Sequence, residues 1–91
     1  MVKIGKYNYS KSTRSDKKLM TVVDNKTIHF GDPSMEHYKD KTGIWKSLDH
    51  NDEDRRANYL TRSAGIKNGK GELTMNDPSS PNYHSRRILW S

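Results

Sequence analysis

Cysteine is absent from the 91 residues, so neither a disulfide framework nor a thiolate zinc site can hold this small chain together. The absence is compatible with a reducing compartment. Apolar side chains are also scarce. Hydrophobic residues make up 30% of the chain, with one Phe, against about 45–50% in an average soluble domain on a nearly matching definition. A chain of this length buries only about 60–65% of its unfolded surface even when well packed, so a large private core is excluded and part of the stability is expected to come from a partner. No stretch approaches the roughly 18 apolar residues of a membrane span, and Met1–Tyr9 lacks the apolar core of a signal peptide. The chain is expected to be soluble, not Sec-exported, and to have no membrane partner.

What the sequence does hold is charge. Seventeen Lys and Arg against eleven Asp and Glu give a formal net charge of +6, which draws the protein toward acidic partners, either nucleic acid or acidic protein surfaces. The length suits one small domain. Residues 1–17 are polar and basic, with Tyr7 and Tyr9 as the only large apolar surfaces after Ile4, and read as an extended arm. Such a segment should be mobile in isolation or laid along something else.

From residue 18 to residue 91 the chain reads as a single small α+β domain. Leu19–Val23 and Thr27–Phe30 are β-prone runs around Asp24 and Asn25, which predicts a β-hairpin over about 18–31. Residues 35–48 show no sustained period and read as irregular, with one short turn. A helix is predicted over about 52–64: Asp49 or Asn51 can cap it, carboxylates gather at its start, and Gly65 stops it. Ala57, Leu60 and Ala64 give it a thin apolar stripe, beside a row of Arg55, Tyr59 and Arg62. Residues 65–79, rich in Gly and Asn, predict a flexible loop. Ser80 and Pro81 open a second helix over about 81–90, which is expected to cover the hairpin. The expected structural core is Ile28, Phe30, Gly31, Leu60, Leu89 and Trp90, with His29-Phe30-Gly31 fixing the hairpin end against Trp90 and Tyr59.

Catalysis finds little support in these residues. The four histidines, His29, His37, His50 and His84, lack metal-ligand spacing, and Asp49, Asp52 and Asp54 lack the Gly and terminal Glu of a calcium loop. Gly69-Lys70-Gly71 is too short to cradle phosphates, and no nucleophile motif occurs. The chain is therefore expected to be no enzyme, with no catalytic residues, no cofactor and no metal. Basic residues interleaved with aromatics are more informative. Tyr7, Tyr9, Arg14, Arg55, Arg56, Tyr59, Arg62, Arg86 and Arg87 are candidate partner-binding residues, because Arg and Tyr dominate interface hot spots and can equally neutralise phosphates and stack on bases. A solvated basic face would look the same.

Four segments in order carry a resemblance: Ser12–Lys18, Lys26-Thr27-Ile28-His29-Phe30-Gly31, the run from Asp52 through Arg55-Arg56 and Asn58-Tyr59-Leu60 to Arg62, and Ser80–Tyr83 with Ile88-Leu89-Trp90. The set resembles small, basic, functionally uncharacterised proteins of large eukaryotic DNA viruses and some tailed phages. Tyr38-Lys39-Asp40 matches a further piece in a longer surround, and the loop before Ser80 is richer in Gly and Asn than in those proteins. The resemblance implies a structural component of a virus or phage particle, a minor capsid or virion protein. It would dock on other virion proteins of the capsid, portal or tail region, and reside in the virion and, during assembly, in the host cytoplasm. It implies no catalytic residues. The alternatives are a nucleic-acid-binding accessory protein and a virus-encoded inhibitor of a host protein.

Overall fold

In the computed structural model, which describes residues Met1–Ser91, four strands in chain order form one antiparallel sheet: β1 (Val2–Ile4), β2 (Tyr7–Lys11), β3 (Leu19–Val23) and β4 (Lys26–Phe30). The hairpin read from the sequence is β3 and β4, paired from Leu19 opposite Phe30 to Val23 opposite Lys26. Asp24 and Asn25 close it with φ of 50° and 65°. Positive φ at both central residues marks a type I′ turn, whose twist matches that of the strands it joins.

The polar N-terminal segment is extended and does lie along another surface, which is the chain's own hairpin. Val2 pairs with Tyr9, and Tyr9 in turn pairs with Thr21. Strand side chains alternate between faces, so Tyr7 and Tyr9 share the face that Leu19, Thr21, Ile28 and Phe30 present to the interior. Two tyrosines two residues apart thus supply the apolar face that recruits the arm. The opposite face carries Lys3, Asn8, Ser10, Met20, Thr27 and His29.

Helix α1 (Glu53–Ala64) starts where Asp52 accepts hydrogen bonds from the amides of Asp54 and Arg55. Helix α2 (Pro81–Ile88) starts under the Ser80 hydroxyl, which accepts from Asn82 N. It ends at Ile88, two residues earlier than the sequence predicts, and the carbonyls of Ile88 and Leu89 accept from the amides of Lys41 and Lys39, both at 3.0 Å. Helix α2 covers the sheet as expected: Ile88 and Leu89 join Tyr9, Leu19 and Phe30 in the core cluster, ringed by Ile4, Tyr7, Trp45 and Trp90.

Helix α1 sits differently. Its one buried residue is Ser63, and Leu60, expected in the core, is only half-buried. Its attachment to α2 is polar, through Arg86 Nη1 donating to Leu60 O and Ser63 Oγ, both at 2.6 Å, and Asn82 Nδ2 donating to Ser63 O. The thin apolar stripe of α1 contributes no fully buried side chain to this contact. Ile28, Phe30 and Leu89 are buried as expected, whereas Gly31 and Trp90 are half-buried. His29 lies on the far side of the sheet, sharing a hydrogen bond with Ser12 Oγ, so it cannot join Phe30 against Trp90. The loop 65–79 carries its own order: Lys67 bridges to Leu73, and buried Thr74 donates to Ile66 O.

Gly31 makes the tightest turn. Its φ is +81°, and a Cβ there would lie 3.0 Å from both Leu89 Cδ1 and Lys18 Cβ. Gly31→Ala combines left-handed strain with overpacking and is expected to cost about 2 kcal/mol or more, lowering the thermal midpoint by about 10 °C in circular dichroism. Gly43→Ala, at φ +75° with nothing within 4 Å, provides the comparison and should lose about half as much. Equal losses would refute the steric part.

Candidate functional site

Between α1 and the end of β4 lies an open groove of about 830 Å³. The row Arg55, Tyr59 and Arg62 forms one wall, Asp32 and Glu36 of the segment after β4 form the other, and Trp90 and Leu89 lie between them. Tyr59 stacks on Trp90 with centroids 4.2 Å apart and planes 11° from parallel, and its hydroxyl shares a hydrogen bond with Ser85 Oγ at 3.0 Å. Arg55 reaches Glu36 at 3.1 Å, an exposed pair worth about 0–1 kcal/mol. Arg62 and Lys17 line the same groove and form no ion pair. The groove thus offers an apolar, aromatic floor and unpaired cations at its rim.

Behind the groove, Lys18 is 1% exposed. Its Nζ donates to Met35 O at 2.6 Å and to His37 Nδ1 at 2.7 Å, and His37 Nε2 donates to Asp49 Oδ1 at 2.5 Å. Asp49 Oδ1 also accepts from Asp40 N, and the Trp45 indole donates to Lys18 O. Burial pulls the Lys18 pKa down to about 8, against the partial support of Asp32, Asp40, Asp49 and Glu36. Burial and the adjacent Lys18 cation likewise hold His37 below the usual imidazole value. A lysine, an imidazole and a carboxylate in series resemble a nucleophile, base and orienting group. Here each atom of the series is bound to the chain, so the series ties residues 35–49 to the sheet.

Tyr9 is a correction to the sequence reading. Offered as a partner-binding residue, it is 1% exposed, and its hydroxyl donates to His84 Nδ1 at 2.8 Å while His84 Nε2 donates to Pro78 O. Burial pushes the phenol up to about 12 and holds His84 below its ordinary value. Arg86 is a second correction, because its guanidinium turns inward onto α1. Of the other candidates, Arg55, Tyr59 and Arg62 come together on the groove, and Arg56 lies over the Tyr38 ring. Arg14 is exposed and paired with Asp16 at 2.9 Å, away from the rest. Tyr7 and Arg87 meet through Tyr83, and none of the three lines the groove. The sequence reading missed Lys18, His37 and Asp49. No spacing signal marks them, since they come from a strand edge and two irregular segments. His50 Nε2 is the one buried side-chain nitrogen without a hydrogen-bond partner, and its ring lies 5.3 Å from that of Trp90.

A model for a family of unknown function, DUF5754, matches residues 7–63. That stretch is more than half of the sequence, running from β2 nearly to the end of α1, so the chain belongs to this family. No curated protein and no solved structure matches it.

Two stability predictions follow from the buried groups. Asp49→Ala leaves His37 and the Asp40 amide without an acceptor and is expected to cost about 3 kcal/mol in urea unfolding, against about 1 kcal/mol for the cap variant Asp52→Ala. A loss no larger than that of Asp52→Ala would refute the anchoring role. For pH, His37 and His84 titrate in the folded chain below the 6.5 of a free imidazole. Between those values the unfolded chain binds more protons, so acid favours unfolding. The urea midpoint is expected to be lower at pH 5.5 than at pH 7.5, and an equal or higher midpoint at pH 5.5 would contradict it.

Proposed function

We propose that this member of DUF5754 is a non-enzymatic docking module, a structural component of a virus or phage particle that seats on another virion protein through the groove beside α1. The observation that carries this reading is the stacked Tyr59–Trp90 pair lining the groove, flanked by unpaired Arg62 and Lys17. Half-buried aromatics ringed by arginine are what interface hot spots are made of, because a rigid ring contributes contact area at little entropic cost. The groove is also supported on a polar frame, so a partner that fills it would add the apolar burial α1 lacks. Adhesion is favoured over catalysis because the lysine, imidazole and carboxylate that could do chemistry are bound to one another beneath the groove. The sequence resemblance to small basic viral proteins supports a virion as the place where the partner is found, with host cytoplasm as the site of assembly.

Mass spectrometry of purified particles tests the reading, and the polypeptide is expected among the virion proteins. Abundance in infected cells with absence from particles would overturn it. Replacing Arg55, Arg56 and Arg62 with Ala is expected to abolish incorporation while the far-ultraviolet spectrum of the sheet and helices is retained. Undiminished incorporation of that variant would move the contact elsewhere on the molecule.

A further inference from the structure

The loop 39–46 sorts its charges by direction. Asp40 is buried: its Oδ1 accepts from Thr42 N and Oγ1, and its Oδ2 accepts from Trp45 N at 2.7 Å. Lys39, Lys41 and Lys46 are exposed, and none of them forms an ion pair. The amides of Lys39 and Lys41 bond to the carbonyls of Leu89 and Ile88, which lays the loop beside Arg87 at the end of α2.

Arg87 is itself exposed and rests on an aromatic ring, its Cζ 5.0 Å from the centroid of Tyr83 and its guanidinium bonded to the Tyr83 hydroxyl. Tyr83 meets Tyr7 edge-on at 6.5 Å, and Lys6 Nζ lies 5.6 Å from the Tyr7 ring. Toward the other end of β2, Lys11 Nζ lies 5.5 Å from the Trp45 ring. Tyr7 and Lys11 are four residues apart on one face of β2, a span of about 14 Å at about 3.4 Å per residue. Lys6, Lys11 and Arg87, each against an aromatic ring, and Lys41, whose amide bonds beside Arg87, are cations with no carboxylate paired to any of them. This surface differs from the groove, where Asp32 and Glu36 would repel a polyanion.

We propose that this face binds single-stranded nucleic acid, with Lys6, Lys11, Lys41 and Arg87 on successive phosphates and the outer plane of the Arg87 guanidinium under a base. A row of unpaired single charges complements a backbone that repeats a single charge of opposite sign. Aromatic rings beneath Lys6, Lys11 and Arg87 fix those three in place, and arginine planes and aromatic rings are the surfaces on which unpaired bases stack. The proposal stands apart from the docking role, since the two surfaces share no residue.

Fluorescence anisotropy of a labelled oligothymidine of about 20 nucleotides with the full chain tests it. Four phosphate contacts at a slope of about 0.7 each predict a roughly 50-fold weaker Kd at about 200 mM than at about 50 mM salt. The double variant Lys41→Gln, Arg87→Gln should bind at least about tenfold more weakly at low salt and show a slope smaller by about 1.4, with a thermal midpoint lowered by no more than about 5 °C from loss of the exposed Arg87–Tyr83 contact. Arg62→Gln, in the groove, should bind like the unaltered chain. Absence of binding at low salt, a salt-independent Kd or an equal loss in Arg62→Gln would each overturn the proposal. Displacement of the oligonucleotide by polyglutamate at equal charge concentration would also overturn it, in favour of an acidic protein segment.

Discussion

The hydrogen-bonded series Lys18–His37–Asp49 is the constraint from which the rest of the tertiary arrangement hangs. The sheet has its ladder and each helix its caps, but residues 31–52 contain one 3-10 turn, Lys46–Leu48, and no other helix or strand longer than a single bridge. Something must hold so long a segment against the sheet, and apolar side chains are too few. Of the fifteen buried residues only seven are hydrophobic. A buried ammonium is costly without partners, so one geometry in which Met35 O and His37 converge on it, with Asp49 holding His37 from behind, is strongly preferred over all others. The same series orders Asp40, whose carboxylate in turn organises the Thr42–Trp45 turn and thereby the position of Trp45 over the core.

Both proposed surfaces inherit their form from that arrangement. With Asp40, its one carboxylate, drawn inward by the network, the loop 39–46 presents only positive charge to water, and the chain's modest excess of positive charge becomes a local concentration of it. On the groove side the segment after β4 carries Asp32 and Glu36 toward α1, so positive and negative walls face each other across an aromatic floor. The two surfaces therefore differ in what they complement: a mixed, partly apolar partner in one case and a uniform polyanion in the other.

Much of the scaffold was legible in the sequence, and for local reasons. The hairpin turn was visible because Asp24 and Asn25 are residues that tolerate positive φ, and the start of α2 because Ser80 and Pro81 suit a helix N-terminus. The row Arg55, Tyr59 and Arg62 was visible because helical spacing alone puts it on one face. Tyr9 and Arg86 were misjudged because a tyrosine or an arginine in a basic segment looks alike whether it faces a partner or the chain's own interior. Only the distant His84 and the α1 carbonyl of Leu60 decide which. Leu60 was misjudged for the converse reason, since an apolar stripe on a helix shows which face could be buried and not whether anything packs there.

The sequence by itself determined the secondary structure of the hairpin and helices, the thinness of the core and the excess of positive charge, because caps, turns, alternation and composition act over a few residues. Only the tertiary structure decided that the polar N-terminal segment would become two strands, that Lys18 would meet His37 and Asp49, and that unpaired cations would gather at the end of α2. Those outcomes depend on groups separated by many residues along the chain, whose meeting is set by how the buried polar atoms can all be satisfied at once, a condition no short stretch of sequence contains.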